Sequence, residues 1–101
     1  MGGEFSIEAV KIFLKKNKAL LRKKFGVKSS GIFGSFVKGK AKKSSDLDIL
    51  VEFEEGFETF KNYMGLKFYL EESFGRKVDL VIIESIKPML KEEILREAIY
   101  V

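Results

Sequence analysis

The sequence predicts an α/β (α+β) domain in which helices cover a β-sheet. Three observations carry that expectation. Segments with helical spacing of apolar residues alternate with short extended runs along the whole chain. Two of those runs, Leu47 to Phe53 and Arg76 to Ile83, are rich in Leu, Val and Ile. Four glycines, Gly26, Gly34, Gly56 and Gly75, fall between the runs and punctuate them.

The first helix is expected from Ile7 to about Phe25. Ser6 has the chemistry of an N-cap, and Ile7, Val10, Phe13, Leu14, Leu20 and Leu21 recur at helical spacing with lysines opposite. Gly26 fits the C-cap. Val27 to Phe33 reads as a short strand that Gly34 breaks, and Ser35 to Lys38 as a turn of helix. A polar, basic loop, 39–45, follows. Leu47 to Phe53 is the clearest strand: Leu47, Ile49 and Val51 face one way, and Asp48, Leu50 and Glu52 the other. Phe57 to Phe74 carries aromatic and aliphatic residues at helical spacing, broad enough to predict a core helix covered on more than one side. Gly75 ends it. A third strand is expected over Arg76 to Ile83. Pro88 suits the first position of a last helix with Met89, Leu90, Ile94, Leu95 and Ala98 as apolar positions. Ile99 to Val101 closes the chain as a short edge strand.

With 101 residues the chain has length for a single domain, 1–101. Apolar residues make up 46% and charged residues 34%, which excludes disorder, and no apolar run is long enough to span a membrane. Cys and His are both absent. That removes disulfides, thiolate sites, Ser-His-Asp triads and imidazole ligands, and leaves carboxylates, hydroxyls, Lys, Arg, Tyr and bound ions. The net charge of +4 comes in clusters: Lys15, Lys16 and Lys18; Arg22, Lys23 and Lys24; Lys38, Lys40, Lys42 and Lys43. The first two read as solvated helix faces. The third links a glycine-serine turn to an acid pair. No signal peptide is visible, and the cytoplasm is the expected location.

The chemistry concentrates in Gly34-Ser35-Phe36-Val37-Lys38-Gly39 and Ser45-Asp46-Leu47-Asp48-Ile49-Leu50-Val51, with Asp79 in a later apolar run. Residues i and i+2 of a strand face one side, so Asp46 and Asp48 aim at one point and repel unless a cation lies between them. Hard divalent ions such as Mg2+ take oxygen ligands, and Asp79 on a neighbouring strand would add a third. Two such ions, roughly 4 Å apart, would clamp an in-line displacement at phosphorus. Gly34 lets main chain approach a ligand, Ser35 offers its hydroxyl and N–H, and Lys38, with Lys42 or Lys43, adds positive charge. Each part alone has an ordinary reading: an Asp-x-Asp often caps a turn, and a Gly-Ser is a turn. An acid such as Asp79 amid apolar residues needs a partner, which a salt bridge from Arg76 or Lys77 would also supply. The conjunction in this order favours metal-assisted transfer of a phosphate-bearing group.

At these residues the chain resembles the minimal nucleotidyltransferases of the DNA polymerase beta superfamily. The likeness rests on Gly34-Ser35 with Lys38-Gly39, on Ser45-Asp46-Leu47-Asp48 with its apolar continuation, and on Lys77-Val78-Asp79-Leu80-Val81. It implies the nucleotidyltransferase fold, a mixed sheet of three to four strands covered by about four helices. It implies that Gly34, Ser35, Lys38, Gly39 and Ser45 bind the nucleotide, and that Asp46, Asp48 and Asp79 are catalytic and hold two Mg2+ ions. ATP would be the donor. Lys38 stands where the family commonly has Arg, which keeps the charge and loses the bidentate fork.

The resemblance further implies an antitoxin that transfers AMP to a tyrosine of a HEPN-domain toxin. No membrane partner is expected, and nucleic acid is not expected as a direct ligand because the sequence shows no recognisable nucleic-acid-reading module. Two other readings stay open on the sequence: a module that neutralises its partner by contact alone, and a transferase for a small molecule or an RNA end.

Overall fold

The structure is a computed structural model and describes residues 6–42 and 45–101. Lys43, one of the cations assigned to the phosphate loop, lies outside the described residues.

Helix α1 spans Ile7–Lys16 and α2 spans Lys18–Phe25. Ser6, in extended conformation, accepts the Ala9 N–H at 3.2 Å and starts α1 as its composition predicts. The single helix expected over this stretch is two helices that meet at Asn17. The Asn17 side-chain amide donates to the Phe13 carbonyl at 2.9 Å beside the main-chain N–H that bonds it at 3.0 Å, and the Asn17 backbone departs from helical values at φ of −99° and ψ of 10°. The ladder is not cut, because Leu21 N–H still donates to the Asn17 carbonyl at 2.8 Å. Val10, Leu14 and Leu21 are buried, while Leu20 is turned outward. Gly26, with φ of 76°, closes α2.

Strand β1 is Val27–Phe33 and β2 is Leu47–Phe53, both as expected. Between them Gly34–Phe36 forms a 3-10 turn, earlier and shorter than the turn expected from Ser35 to Lys38. Helix α3 covers Phe60–Phe74 and begins three residues later than its apolar pattern suggests, because Thr59 caps it by accepting the Asn62 N–H at 3.1 Å. Strand β3 is Val78–Ile82, shorter than expected at both ends, and a 3-10 turn at Ile83–Ser85 follows it. Helix α4 is Pro88–Glu97, and β4 is Ile99–Tyr100.

The sheet order is β3-β2-β1-β4. Strand β1 pairs antiparallel with both β2 and β4, and β2 pairs parallel with β3. A parallel neighbour needs a crossover, and α3 supplies it. The sheet is therefore mixed. One face, carrying Ile32, Leu47, Ile49, Val51, Val78 and Leu80, packs against Val10, Leu14, Leu21, Phe25, Leu66 and Leu70 of the first three helices to form the core. The other face carries Asp48 opposite Phe33 on one side and Asp79 on the other, then Leu50 between Gly31 and Val81.

The apolar pattern overstates how much of these helices is covered. In α3, Leu66 and Leu70 are buried and Tyr63, Tyr69 and Phe74 pack partly against the core, whereas Phe60 is 80% exposed and Phe68, with Phe57 ahead of the helix, also faces outward. In α4 no residue is buried, and Met89 is 90% exposed. Spacing reveals that a helix has an apolar stripe and not whether anything packs on it.

The outer edge of β3 is closed by α3. Leu47 N–H donates to the Lys77 carbonyl, so the alternate residues Val78 and Leu80 turn their main-chain groups outward. There the Tyr63 hydroxyl donates to the Leu80 carbonyl, Lys67 Nζ donates to the Val78 carbonyl at 3.0 Å, and Val78 N–H donates to Glu71 Oε2 at 2.9 Å. Three side chains at four-residue spacing thus satisfy an otherwise open edge. Among the described residues no helix is long and apolar enough to cross a membrane.

Candidate active site

The site forms where β1 ends and where β2 and β3 begin. Parallel pairing places Asp48 directly opposite Asp79. Their side chains are close enough for Asp79 to act directly on Asp48. Asp48 is half-buried, and its pKa is pushed up to about 6. Burial is the main cause, followed by the charge and hydrogen bond of Asp79; the Ser35 N–H, donating to Asp48, opposes the rise, and the charge of Asp46 adds to it. Asp79, for all its apolar neighbours in sequence, is exposed. Its apolar neighbours Val78 and Leu80 point to the core, and alternation sends Asp79 the other way.

Gly34 shapes the other wall. With φ of 78° it turns the chain sharply, and a Cβ built on it would stand 2.0 Å from Asp48 Oδ2. Main chain and carboxylate approach so closely only because the side chain is missing. Ser35 follows directly, with its N–H on Asp48. Lys38 N–H donates to the Gly34 carbonyl at 3.1 Å, and Lys40 N–H to the Ser35 carbonyl at 2.9 Å, so the loop stays folded on the turn. Gly39, at φ of 71°, is exposed on that loop.

Asp46 is exposed and lies just ahead of β2 rather than on it. It is near enough to act on Asp48 by charge. Ser45 closes a small turn: its hydroxyl accepts the Lys42 N–H at 2.8 Å, and its own N–H donates to the Lys42 carbonyl at 3.0 Å. Lys38 Nζ pairs with Glu97 of α4 at 3.4 Å. Such an exposed pair is worth about 1 kcal/mol or less, so a phosphate competes with it easily.

Among the described residues no three acids already stand as a ligand cluster; the structure joins Asp48 with Asp79 and keeps Asp46 at electrostatic range. The donor set is all oxygen, two like charges are held together, and Gly34 lets main chain pack directly on the Asp48 carboxylate. That combination fits a hard divalent cation.

Sequence reasoning did not assign a site role to Arg76 or Phe36. The Arg76 guanidinium donates to the Ser45 carbonyl at 2.9 Å and lies 5.0 Å from the centre of the Phe36 ring. Arg76 directly precedes the quoted Lys77 to Val81 run and Phe36 lies within the quoted Gly34 to Gly39 motif, and that placement was the available signal.

The profile of the family described as the nucleotidyltransferase domain matches residues 14–101. The protein adenylyltransferase MntA of Thermococcus cleftensis is 43% identical over 95% of this chain and 96% of its own length. A solved minimal nucleotidyltransferase superposes with a TM-score of 0.80 at 37% identity, covering 97% of this chain and 98% of that one. The antitoxin in a Shewanella oneidensis complex of a tri-AMPylated HEPN toxin with an MNT antitoxin shares the fold, with a TM-score of 0.62 at 21% identity, over 89% of this chain and 69% of that one. With its acid pair, its serine turn and these relatives, the chain belongs to the nucleotidyltransferase domain family, among the minimal, MntA-type proteins.

Proposed function

We propose that this protein is an Mg2+-dependent adenylyltransferase that transfers AMP from ATP to a tyrosine hydroxyl of a HEPN-family toxin and so acts as the antitoxin of a toxin–antitoxin pair. The observation that carries the reading is the Asp48–Asp79 pair set against the Gly34-Ser35 turn. The acceptor and the partner rest on the relatives, of which one is a protein adenylyltransferase and another sits in a complex with a HEPN toxin.

In this reading Asp46, Asp48 and Asp79 hold the divalent ions, which when bound neutralise charge on the triphosphate. Gly34 and the Ser35 hydroxyl and N–H cradle the phosphates, with Ser45 and Gly39 shaping the loop and Lys38 leaving Glu97 to meet the anion. The acceptor oxygen forms a bond to the α-phosphorus, the bond from that phosphorus to the β-phosphate oxygen breaks, and pyrophosphate leaves. The hydroxyl proton passes to a carboxylate oxygen of the site, where Asp79 stands exposed beside Asp48 and open to the acceptor.

The test is incubation of the protein with ATP labelled on the α-phosphate, Mg2+ and a candidate HEPN-family protein. Label on the partner, lost in the Asp46→Asn/Asp48→Asn double variant, is the expected result. Neutralisation of the toxin that persists unchanged in the double variant would assign the effect to contact alone. Label appearing on RNA or a small molecule without protein partner would move the acceptor to that class.

A further inference from the structure

We propose that Arg76 is a positioning residue of this site, fixing the direction of Asp46 and tying it to the Gly34–Phe36 turn. The inference rests on the metal-holding role proposed above for Asp46.

Asp46 is exposed and precedes β2, so strand pairing does not by itself hold it. Its two flanking peptide groups are nonetheless both fastened, and to consecutive residues. The carbonyl of the Ser45–Asp46 peptide accepts from Arg76 Nη1 at 2.9 Å. The N–H of the Asp46–Leu47 peptide donates to the Lys77 carbonyl at 2.9 Å. Peptide groups are planar, so fastening the planes on both sides of one Cα sets its two backbone dihedrals and with them the line of its Cβ. The Lys77 contact is made by main chain and survives any side chain there. The Arg76 contact is the half that depends on the identity of a residue.

The same guanidinium lies over the Phe36 ring at 5.0 Å. Phe36 follows Ser35, whose N–H binds Asp48. One side chain therefore touches both halves of the site: the entry to Asp46 and the turn assigned to phosphate. Arg76 is itself well anchored, directly behind the Gly75 cap of α3 and with its N–H on the Glu71 carbonyl at 3.3 Å. A planar guanidinium can lie on a ring and direct an in-plane N–H at a carbonyl at once, whereas an ammonium group reproduces the charge without that geometry. Residues that orient metal ligands change metal affinity by roughly 10- to 100-fold when replaced.

The experiment measures Mn2+ binding by electron paramagnetic resonance, with Mn2+ alone as probe, alongside melting temperature in EDTA. The proteins are wild type, Arg76→Gln, Arg76→Lys, Phe36→Leu, Asp46→Asn and Asp46→Asn/Arg76→Gln. Arg76→Gln should weaken Mn2+ binding by about tenfold or more. Arg76→Lys should recover part of the loss, and Phe36→Leu should show a smaller loss in the same direction. In the Asp46→Asn background the Arg76→Gln change should add no more than about twofold, since a residue acting through Asp46 has nothing left to act on. Wild-type affinity in Arg76→Gln, or losses that multiply in the double variant, would overturn the inference and leave Arg76 a structural staple read only in melting temperature. If Arg76→Gln does not fold, wild-type affinity in both Arg76→Lys and Phe36→Leu overturns it equally. Wild-type affinity in Asp46→Asn removes the metal role of Asp46, and this inference with it; a loss there beside wild-type affinity in Arg76→Gln removes this inference alone.

Discussion

Asp48 on β2 and Asp79 on β3 face each other across a parallel pair of strands, and the carboxyl group of Asp79 helps to raise the pKa of Asp48. Two like charges brought together by sheet register favour a proton on the more buried one, Asp48, or a cation between them. With the metal role proposed above, pH and divalent ions should act on this site in opposite senses.

The pH dependence follows from Asp48, whose folded pKa of about 6 lies above its ordinary value of 3.8. Below the ordinary value both folded and unfolded chains hold the proton, and the contribution of this group to stability is complete. As pH rises through the folded pKa the group ionises beside Asp79, and that contribution is lost. Divalent-ion binding needs the ionised pair and runs the other way. The rise in melting temperature caused by Mg2+ should therefore grow between about pH 4 and pH 6 and level off above. Scanning calorimetry with EDTA and with Mg2+ across that range checks it; an equal Mg2+ effect at pH 5 and pH 7.5 would contradict the assignment.

Replacement of Asp48 by Asn removes one of two like charges without changing size. At pH 7.5 in EDTA the variant should melt higher than wild type. Relief of about 1 kcal/mol corresponds to roughly 4–8 °C in a domain near this size. The same variant should lose Mn2+ binding. A lower melting temperature in EDTA would mean that the carboxylate makes contacts worth more than the repulsion it carries.

Gly34→Ala places a methyl group against Asp48 Oδ2 at a left-handed backbone position. The backbone alone costs about 1–2 kcal/mol, and the displaced carboxylate adds to it. The expected outcome is a lower midpoint in urea and loss of transferase activity. Gly39→Ala also meets positive φ but has open space around it, so it should show the backbone cost alone. Equal penalties at the two sites would argue against close packing of Gly34 on Asp48.

Leu66 and Phe68 lie two residues apart on α3 and face opposite ways, the first at 2% exposure and the second at 58%. Leu66→Ala should cost about 2–5 kcal/mol. Phe68→Ala should stay within about 0.5 kcal/mol, as an exposed site away from any network does. Chemical denaturation of the two variants gives the comparison, and a large loss at Phe68 would show a packing partner on that face.

Much of this architecture is written locally. Ser6, Gly26, Thr59, Gly75 and Pro88 mark helix ends through their own backbone and hydrogen-bonding chemistry, and the alternation from Leu47 to Phe53 marks β2 and the side on which Asp48 stands. The break at Asn17 was equally local, but a side-chain amide competing for the Phe13 carbonyl leaves no trace in hydrophobic spacing. The apolar residues of α3 and α4 misled for a related reason: periodicity records a stripe, and burial depends on what arrives from elsewhere.

The residue types of the proposed site, their order and its glycines stand in the chain itself, because the phosphate and metal chemistry proposed for it needs oxygen donors and close main-chain approach. Only the folded molecule decided that Asp79 meets Asp48 rather than a cation from Arg76 or Lys77, that Asp46 stands outside the strand, and that Arg76 reaches Ser45. Those are contacts between segments about thirty residues apart, set by the parallel register of β2 on β3 and by the α3 side chains that hold the β3 edge. Register is a property of two strands together, and no single stretch of sequence contains it.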